Sequence, residues 1–305
     1  MRSAVLITTA LANARTQGMA RLDVDLLLLF AMGVPAQELG TRRGWLLAHD
    51  DEPINPEAMK RFLTFVQRRN GGEPLAYITG HKAFFGLDLL VDARVLVPRP
   101  DTETLVQFAL DLLARPALNQ FTDPIRVLDL GTGSGAIALA LKKERPSLSV
   151  DAVDQSADAL AVAQCNANRL GIELQCFQGS WFDALMPDAR YHFIVSNPPY
   201  VRLHDPHLAA LQHEPIQALV AGADGLDDIR HIVTGATSRL QPGGRLLLEH
   251  GFDQGETARA LMRHAGFGNC SARSDLSGHW RCTGGQWRGQ DLTPPGLLAG
   301  EAAGK

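Results

Sequence analysis

Cysteine is scarce in this 305-residue chain, and the four present, Cys165, Cys176, Cys270 and Cys282, never form a CxxC pair. That scatter argues against a zinc knuckle or a redox dithiol and reads as reduced, buried thiols of a cytosolic protein. A basic surplus is missing too: the net charge is −4 and the pI about 6.2. Proteins that live on duplex nucleic acid draw much of their affinity from neutralising phosphates, so this balance disfavours such a partner. Long hydrophobic runs are absent; Leu26 to Phe30 is far too short to span a bilayer. Met1-Arg2, the stretch Ala4 to Ala10 and Ala12-Asn13-Ala14 imitate a secretory leader only loosely, because Thr8 and Thr9 interrupt it. No Ser/His/Asp arrangement, metal-ligand spacing or internal repeat is present. His204, His207 and His213 suit no tetrahedral site and read as surface residues.

What is there has the 45% apolar and 20% charged content of a globular protein, with length for one large and one small domain. Residues 1 to 82 read as a helical domain. Its clearest helix starts at the N-cap Asn55 with Pro56 in the first position, carries Met59, Phe62, Leu63 and Val66 on one face, and stops at Gly71-Gly72. Leu22, Leu26, Leu29 and Phe30 suggest a second buried stripe, ended by Gly33 and Pro35. A β-hairpin linker is expected over 83–99, from strands Phe84 to Leu87 and Leu89 to Val97. A helix follows Asp101-Thr102-Glu103, with Leu105, Val106, Ala109, Leu110 and Leu113 inward.

From Ile125 strands and helices alternate: strands at Ile125 to Leu130, Leu148 to Val153, Leu174 to Phe177, Tyr191 to Ser196 and Arg245 to Glu249, helices at Ala136 to Lys143 and Ala157 to Leu170. This predicts a doubly wound, Rossmann-like α/β domain over 100–288, closed by an antiparallel hairpin at Asn269 to Ala272 and Trp280 to Thr283. Residues 289–305, rich in Gly, Ala and Pro, read as a disordered tail.

Gly131-Thr132-Gly133-Ser134-Gly135 sits between the first of these strands and its helix, where glycines permit a tight turn and close approach of a ligand. Alone this is a weak signal. It is sharpened by GxGxG spacing rather than GxGxxG, and by Asp154 about 20 residues on, placed to accept both ribose hydroxyls of an adenosine-containing ligand. A helix cap is the plainer role for Asp154. Asp129 could orient the loop or face a cationic part of the ligand, and Trp181 could pack on the adenine or simply fill the core.

Asn197-Pro198-Pro199-Tyr200 follows the apolar strand Phe193-Ile194-Val195, at a sheet edge where α/β ligands bind. From average residue usage it should occur by chance in roughly one chain of this length per thousand. An amide or exocyclic NH₂ is a poor nucleophile because its lone pair is delocalised. The Asn197 side-chain oxygen and the Pro198 carbonyl can accept both of its N–H bonds and leave the lone pair facing a sulfonium methyl. The prolines hold the carbonyl still, and Tyr200 can pack on the planar group. Those bonds strengthen as positive charge builds on nitrogen.

With these residues the chain resembles the bacterial release-factor glutamine methyltransferases, the PrmC/HemK family, over about residues 20 to 285. The resemblance rests on Gly72-Glu73-Pro74-Leu75-Ala76-Tyr77-Ile78-Thr79-Gly80 and Val97-Pro98-Arg99-Pro100-Asp101-Thr102-Glu103, and on Leu128 to Gly135, Val195 to Tyr200 and Leu248-Glu249-His250-Gly251. It implies a seven-stranded class I methyltransferase domain behind a helical substrate-recognition domain. It further implies S-adenosylmethionine as cofactor, held by Gly131, Thr132, Gly133, Ser134, Gly135, Asp154, Trp181 and Asn197. Asn197, Pro198, Pro199 and Tyr200 would hold the N5 nitrogen of the glutamine in the Gly-Gly-Gln motif of class 1 release factors, and Arg99 and Glu103 would shape the pocket. No metal, membrane or direct nucleic-acid contact is expected, and the enzyme would be a cytoplasmic monomer. Phe84-Phe85 departs from the Phe-Trp-like pair frequent in the family. The chain's own Gly284-Gly285-Gln286 reads as the end of the last strand, a coincidence with the target tripeptide. Three alternatives stay open: a ribosomal-protein glutamine methyltransferase, an adenine-N6 nucleic-acid methyltransferase needing base flipping and a basic track, and a non-catalytic cofactor-binding scaffold.

Overall fold

The computed structural model describes residues 5–115 and 124–289. The predicted tail from Gln290 lies outside them. The N-terminal part is helical: α1 (Ile7–Arg15), α2 (Arg21–Ala31), α3 (Leu39–Ala48), α4 (Pro56–Asn70) and the short α5 (Leu75–Thr79). Asn55 caps α4 as expected, accepting from the Ala58 N–H at 2.9 Å. The buried α4 face is Ala58, Phe62 and Val66, with Met59 packed against it, whereas Leu63 is 53% exposed. In α2 the buried set is Val24, Leu27, Leu28, Leu29 and Ala31; Leu22 faces solvent, and Leu26 and Phe30 are only partly covered. A run of leucines does not fix the phase of a helix. Here Asp25 helps set it from inside, pairing with Arg15 at 2.9 Å and Arg43 at 3.0 Å.

The hairpin forms earlier than its sequence suggests, as β1 (His81–Phe84) and β2 (Leu87–Leu90). Val91, Val95 and Val97 are buried but not in a strand. They pack with Tyr77, Ala159 and Val162 in a cluster that seats the linker on the larger domain, and the Tyr77 hydroxyl donates to the Val95 carbonyl at 2.5 Å. After α6 (Thr102–Leu113) come β3 (Arg126–Leu130), α7 (Ala136–Glu144), β4 (Ser149–Asp154), α8 (Ala157–Leu170), β5 (Gln175–Gln178) and β6 (Tyr191–Ser196). The chain then forms α9 (Asp227–Ala236), β7 (Leu240–Glu249), α10 (Gly255–His264), β8 (Phe267–Ser274) and β9 (Trp280–Trp287).

The seven-stranded sheet runs β5-β4-β3-β6-β7-β9-β8, parallel from β5 to β7, with β9 antiparallel to both neighbours. Alternation along the strands serves both faces. Val127, Phe193, Val195 and Leu247 join Leu105, Phe108 and Leu139 on one side. Leu128, Ile194, Leu246 and Leu248 join Ile229, Ile232 and Met262 on the other. Gly284-Gly285-Gln286 lies within β9, as expected. A Cβ at Gly284 would sit 2.4 Å from Leu247 Cδ2, so close packing accounts for that glycine. Chain order reverses at β3/β6, and both glycine loop and Asn-Pro-Pro-Tyr leave the sheet at the carboxyl ends of those strands, where such sheets bind ligands. The cysteines are free, but only Cys282 is buried; Cys165 is exposed because α8 turns Val162, Ala163, Asn166 and Ala167 inward instead. Among the described residues no helix is long and apolar enough to cross a membrane.

Candidate active site

A cavity of about 240 Å³ opens at the β3/β6 switch point, between the glycine loop, the end of β4, the segment after β5 and the loop that follows β6. Gly131, Gly133 and Gly135 all adopt positive φ, at 70°, 55° and 81°, a conformation that is costly for residues with a Cβ. The turn is tied down from β4, whose Val153 carbonyl accepts from the N–H groups of Gly131 and Thr132 at 2.9 and 3.0 Å. A Cβ at Gly133 would point into open space, and one at Gly131 would meet the Trp181 ring at 3.5 Å. The bare backbone therefore keeps room between loop and indole.

Asp154 closes β4 at the cavity wall. Its Oδ2 accepts from the Gly133 N–H at 2.9 Å and its Oδ1 from the Ser156 N–H at 3.0 Å. The cap of α8 is Ser156, which accepts from Ala159 N–H at 3.1 Å. Asp154 thus couples loop to wall, and a carboxylate with about four acceptor sites keeps acceptor capacity for a ligand. Burial raises its pKa, against the hydrogen bonds of the Ser156, Gly133 and Gln155 N–H groups. Trp181, with φ of 49°, is half-buried on the same wall, and its indole N–H donates to Asp228 of α9. Burial, then the neighbouring Asp227, raise the Asp228 pKa.

Of the sequence-predicted residues, Gly131, Gly133, Asp154, Trp181, Asn197 and Pro199 line the cavity; Thr132, Ser134, Gly135, Pro198 and Tyr200 do not. Thr132 donates to Asp129 at 2.8 Å, the Ser134 carbonyl accepts from Asn166 at 3.0 Å, and Gly135 packs against Leu139 and Ala163. Asp129 is fully buried and does not line the cavity. Its Oδ2 also accepts from Ala138 N–H at 3.2 Å while Oδ1 has no partner, and burial raises its pKa to about 7. Asp129 therefore supports the loop from beneath. Arg99 and Glu103 do not line the cavity either. Arg99 pairs with the buried Glu214, which also accepts from Val97 N–H at 3.0 Å, and Glu103 accepts from Phe85 N–H at 2.8 Å. They brace the linker. His213 is not a free surface residue; its Nε2 contacts the Gly71 carbonyl at 2.8 Å.

Asn197 is held from α6: its Nδ2 donates to Thr102 Oγ1 at 3.1 Å. Tyr200 donates its hydroxyl to Glu249 Oε1 at 3.3 Å. Glu249, 1% exposed at the end of β7, has its pKa pushed to about 7 by burial, with Thr102 and Tyr200 opposing that shift. Burial and then Glu249 raise the Tyr200 pKa. Asp228, Gln155 and Arg94 carry no local sequence signature; Thr102 and Glu249 lie in segments that resemble the family, but only the fold shows what they touch. Among the described residues no cluster of His, Cys, Asp and Glu could hold a metal ion.

Two family models match the chain, "Methyltransferase small domain" over residues 109–274 and "PrmC N-terminal domain" over 6–80. Among curated proteins, the release factor glutamine methyltransferase of Bordetella pertussis is 47% identical over 249 residues, 81% of this chain and 90% of that one. Its Pseudomonas aeruginosa counterpart is 48% identical, covering 88% and 93%. The Burkholderia pseudomallei protein is 43% identical, covering 92% and 97%. With nearly half the residues shared across both the helical unit and the seven-stranded sheet, this chain belongs to the release factor glutamine methyltransferase family.

Proposed function

We propose that the protein transfers a methyl group from S-adenosylmethionine to the side-chain amide nitrogen, N5, of the glutamine in the Gly-Gly-Gln motif of class 1 release factors. One observation carries the reading: Asn197 lines the same cavity as Asp154 and the glycine loop, its amide nitrogen committed to Thr102. The amide oxygen is thereby left to accept from a substrate.

The residues present suit the cofactor. Asp154 retains acceptor capacity for two ribose hydroxyls, Trp181 offers a flat apolar face, and Gly131 and Gly133 leave the main chain bare. When bound, S-adenosylmethionine supplies a methyl group on a positively charged sulfur. Asn197 Oδ1 and the Pro198 carbonyl accept the two N–H bonds of the glutamine amide, hold its plane, and turn its lone pair toward that methyl. The two acceptors strengthen as nitrogen becomes positive, so they act mainly in the transition state. Pro198 and Pro199 fix the carbonyl by restricting φ. Tyr200, its hydroxyl anchored on Glu249, keeps its ring in place to pack on the amide. No general base is required, because the nitrogen's proton becomes acidic once methylated and passes to water. The helical unit of α1 to α5 is read as the surface receiving the release factor, and the products are S-adenosylhomocysteine and the N5-methylglutamine protein.

The test is transfer of tritiated methyl to purified release factor and to a Gln→Ala variant of its Gly-Gly-Gln motif. Label on the first and none on the second is expected. Label on a ribosomal protein or a nucleic acid, with none on the release factor, would overturn the substrate and leave the amide pocket intact.

A further inference from the structure

We propose that Glu249 is a positioning residue for methyl transfer: acting through Thr102, it decides which end of the Asn197 amide faces the substrate. The inference deepens the glutamine reading above and rests on Asn197 serving as an acceptor. Its basis is a buried run of polar groups linking three elements. Glu249 ends β7, Thr102 opens α6, and Asn197 follows β6. Glu249 and Thr102 are 1% and 4% exposed, so solvent does not compete for their hydrogen bonds.

The direction of each bond follows from donor counts. An ionised carboxylate can only accept. Glu249 Oε1 takes the Tyr200 hydroxyl at 3.3 Å. Its buried Oε2 has no hydrogen-bond partner, and the Thr102 hydroxyl lies beside the same carboxyl and favours its charged form. A hydroxyl has a single proton. Once that proton is turned to Glu249, Thr102 offers Asn197 only lone pairs. The amide must then point its NH₂ at Thr102, as it does at 3.1 Å, and its oxygen remains for the cavity. Were the residue at 249 a donor, Thr102 could turn its proton to Asn197. The amide would flip by half a turn and set an NH₂ against the N–H of the substrate. Glu249 also pins Tyr200, so one carboxylate orders both polar side chains that flank the two prolines.

Glu249→Gln preserves volume and supplies the donor. It is assayed at pH 8.5, above the value of about 7 to which burial raises Glu249. A misdirected buried hydrogen bond costs about 1–3 kcal/mol, so kcat should fall about 5- to 150-fold. KM for the release factor and Kd for S-adenosylmethionine should stay within about threefold, since Glu249 does not line the cavity. Thr102→Val should show the same split, and Thr102→Ser, which keeps the hydroxyl, should recover most of the rate. A kcat for Glu249→Gln within threefold of wild type would overturn the proposal, as would a parallel loss of cofactor binding and Tm. A second readout does not need turnover. In side-chain amide NMR, with the Asn197 pair assigned by its loss in Asn197→Ala, those protons should shift in Glu249→Gln and Thr102→Val but not in Thr102→Ser. Unmoved signals refute the relay whatever the substrate. Shifted signals in an enzyme that labels no release factor would retain it and refute the glutamine assignment.

Discussion

Asp154 gives the most direct quantitative handle on the cofactor half of the site. Its two oxygens take the N–H groups of Gly133 and Ser156 at 2.9 and 3.0 Å, and we assign their remaining acceptor capacity to the ribose hydroxyls of S-adenosylmethionine. Replacing Asp154 by Asn keeps shape and volume but makes one end of the group a donor. Whichever way the new amide turns, its NH₂ faces either a backbone N–H or a ribose hydroxyl that had an acceptor. One bond to a charged group is lost, worth about 1.5–3 kcal/mol, and at 1.4 kcal/mol per decade Kd should rise about 10- to 150-fold. Isothermal titration with S-adenosylmethionine at pH 7.5 measures this, with S-adenosylhomocysteine as a control lacking the methyl group. The loss should be the same for both, because Asp154 is assigned to the ribose. If Asp154→Asn bound either ligand within twofold of wild type at unchanged Tm, the assignment would be wrong. The carboxylate would then be only a brace between the glycine loop and the start of α8.

Three further outcomes follow from buried groups. Phe62→Ala opens a hole in the helical core, where Phe62 is 1% exposed, and should cost about 3–5 kcal/mol in urea unfolding; a loss under 1 kcal/mol would refute that packing. Asp129 has a folded pKa of about 7 against 3.8 unfolded, so the unfolded chain binds fewer protons over that interval and stability falls as pH rises from 4 to 7. Asp129→Asn removes that dependence, so its stability relative to wild type should improve as pH rises from 4 to 7 and level off above; a flat or opposite difference over that interval contradicts the assignment. Asn166→Ala strips the partners from Leu90 N–H and from the Leu90 and Ser134 carbonyls, which its side chain meets at 2.7, 3.0 and 3.0 Å. Each orphaned buried group costs about 1–3 kcal/mol, and hydrogen exchange at the Leu90 amide should accelerate; unchanged exchange would mean the hairpin is held elsewhere.

The parallel strands are legible because fully covered strands are continuous apolar runs with fixed neighbours, and β6 (Tyr191–Ser196) appears where the sequence puts it. The helix phases are less so. Leu22 and Leu63 fit helical spacing but face solvent, since an apolar cluster does not say which of two adjacent stripes meets the core. Val91 to Val97 imitates a strand because its buried residues, Val91, Val95 and Val97, share the parity of one strand face, although Ala93 between them is exposed. α9 is the reverse case, hidden among acidic residues although Ile229, Ile232, Val233 and Ala236 recur at helical spacing.

The candidate site divides along the same line. Gly131, Gly133, Asp154 and Asn197 could be singled out because each stands at the end of a strand or in the turn after it, and all four line the cavity. The groups that orient them are remote in sequence: Thr102 is 95 residues from Asn197, Glu249 is 49 from Tyr200, and Asn166 is 76 from Leu90. No local pattern can encode such a partner, since pairing depends on which strand ends and helix starts the fold brings together. Thr102 illustrates the point. At the first turn of α6 it looks like a residue chosen for a helix start, yet its hydroxyl lies buried between Asn197 and Glu249. A chain that kept every cavity-lining residue but changed Thr102 to Val would still carry the sequence signature of the site, and by this reasoning would have lost the fixed orientation of Asn197.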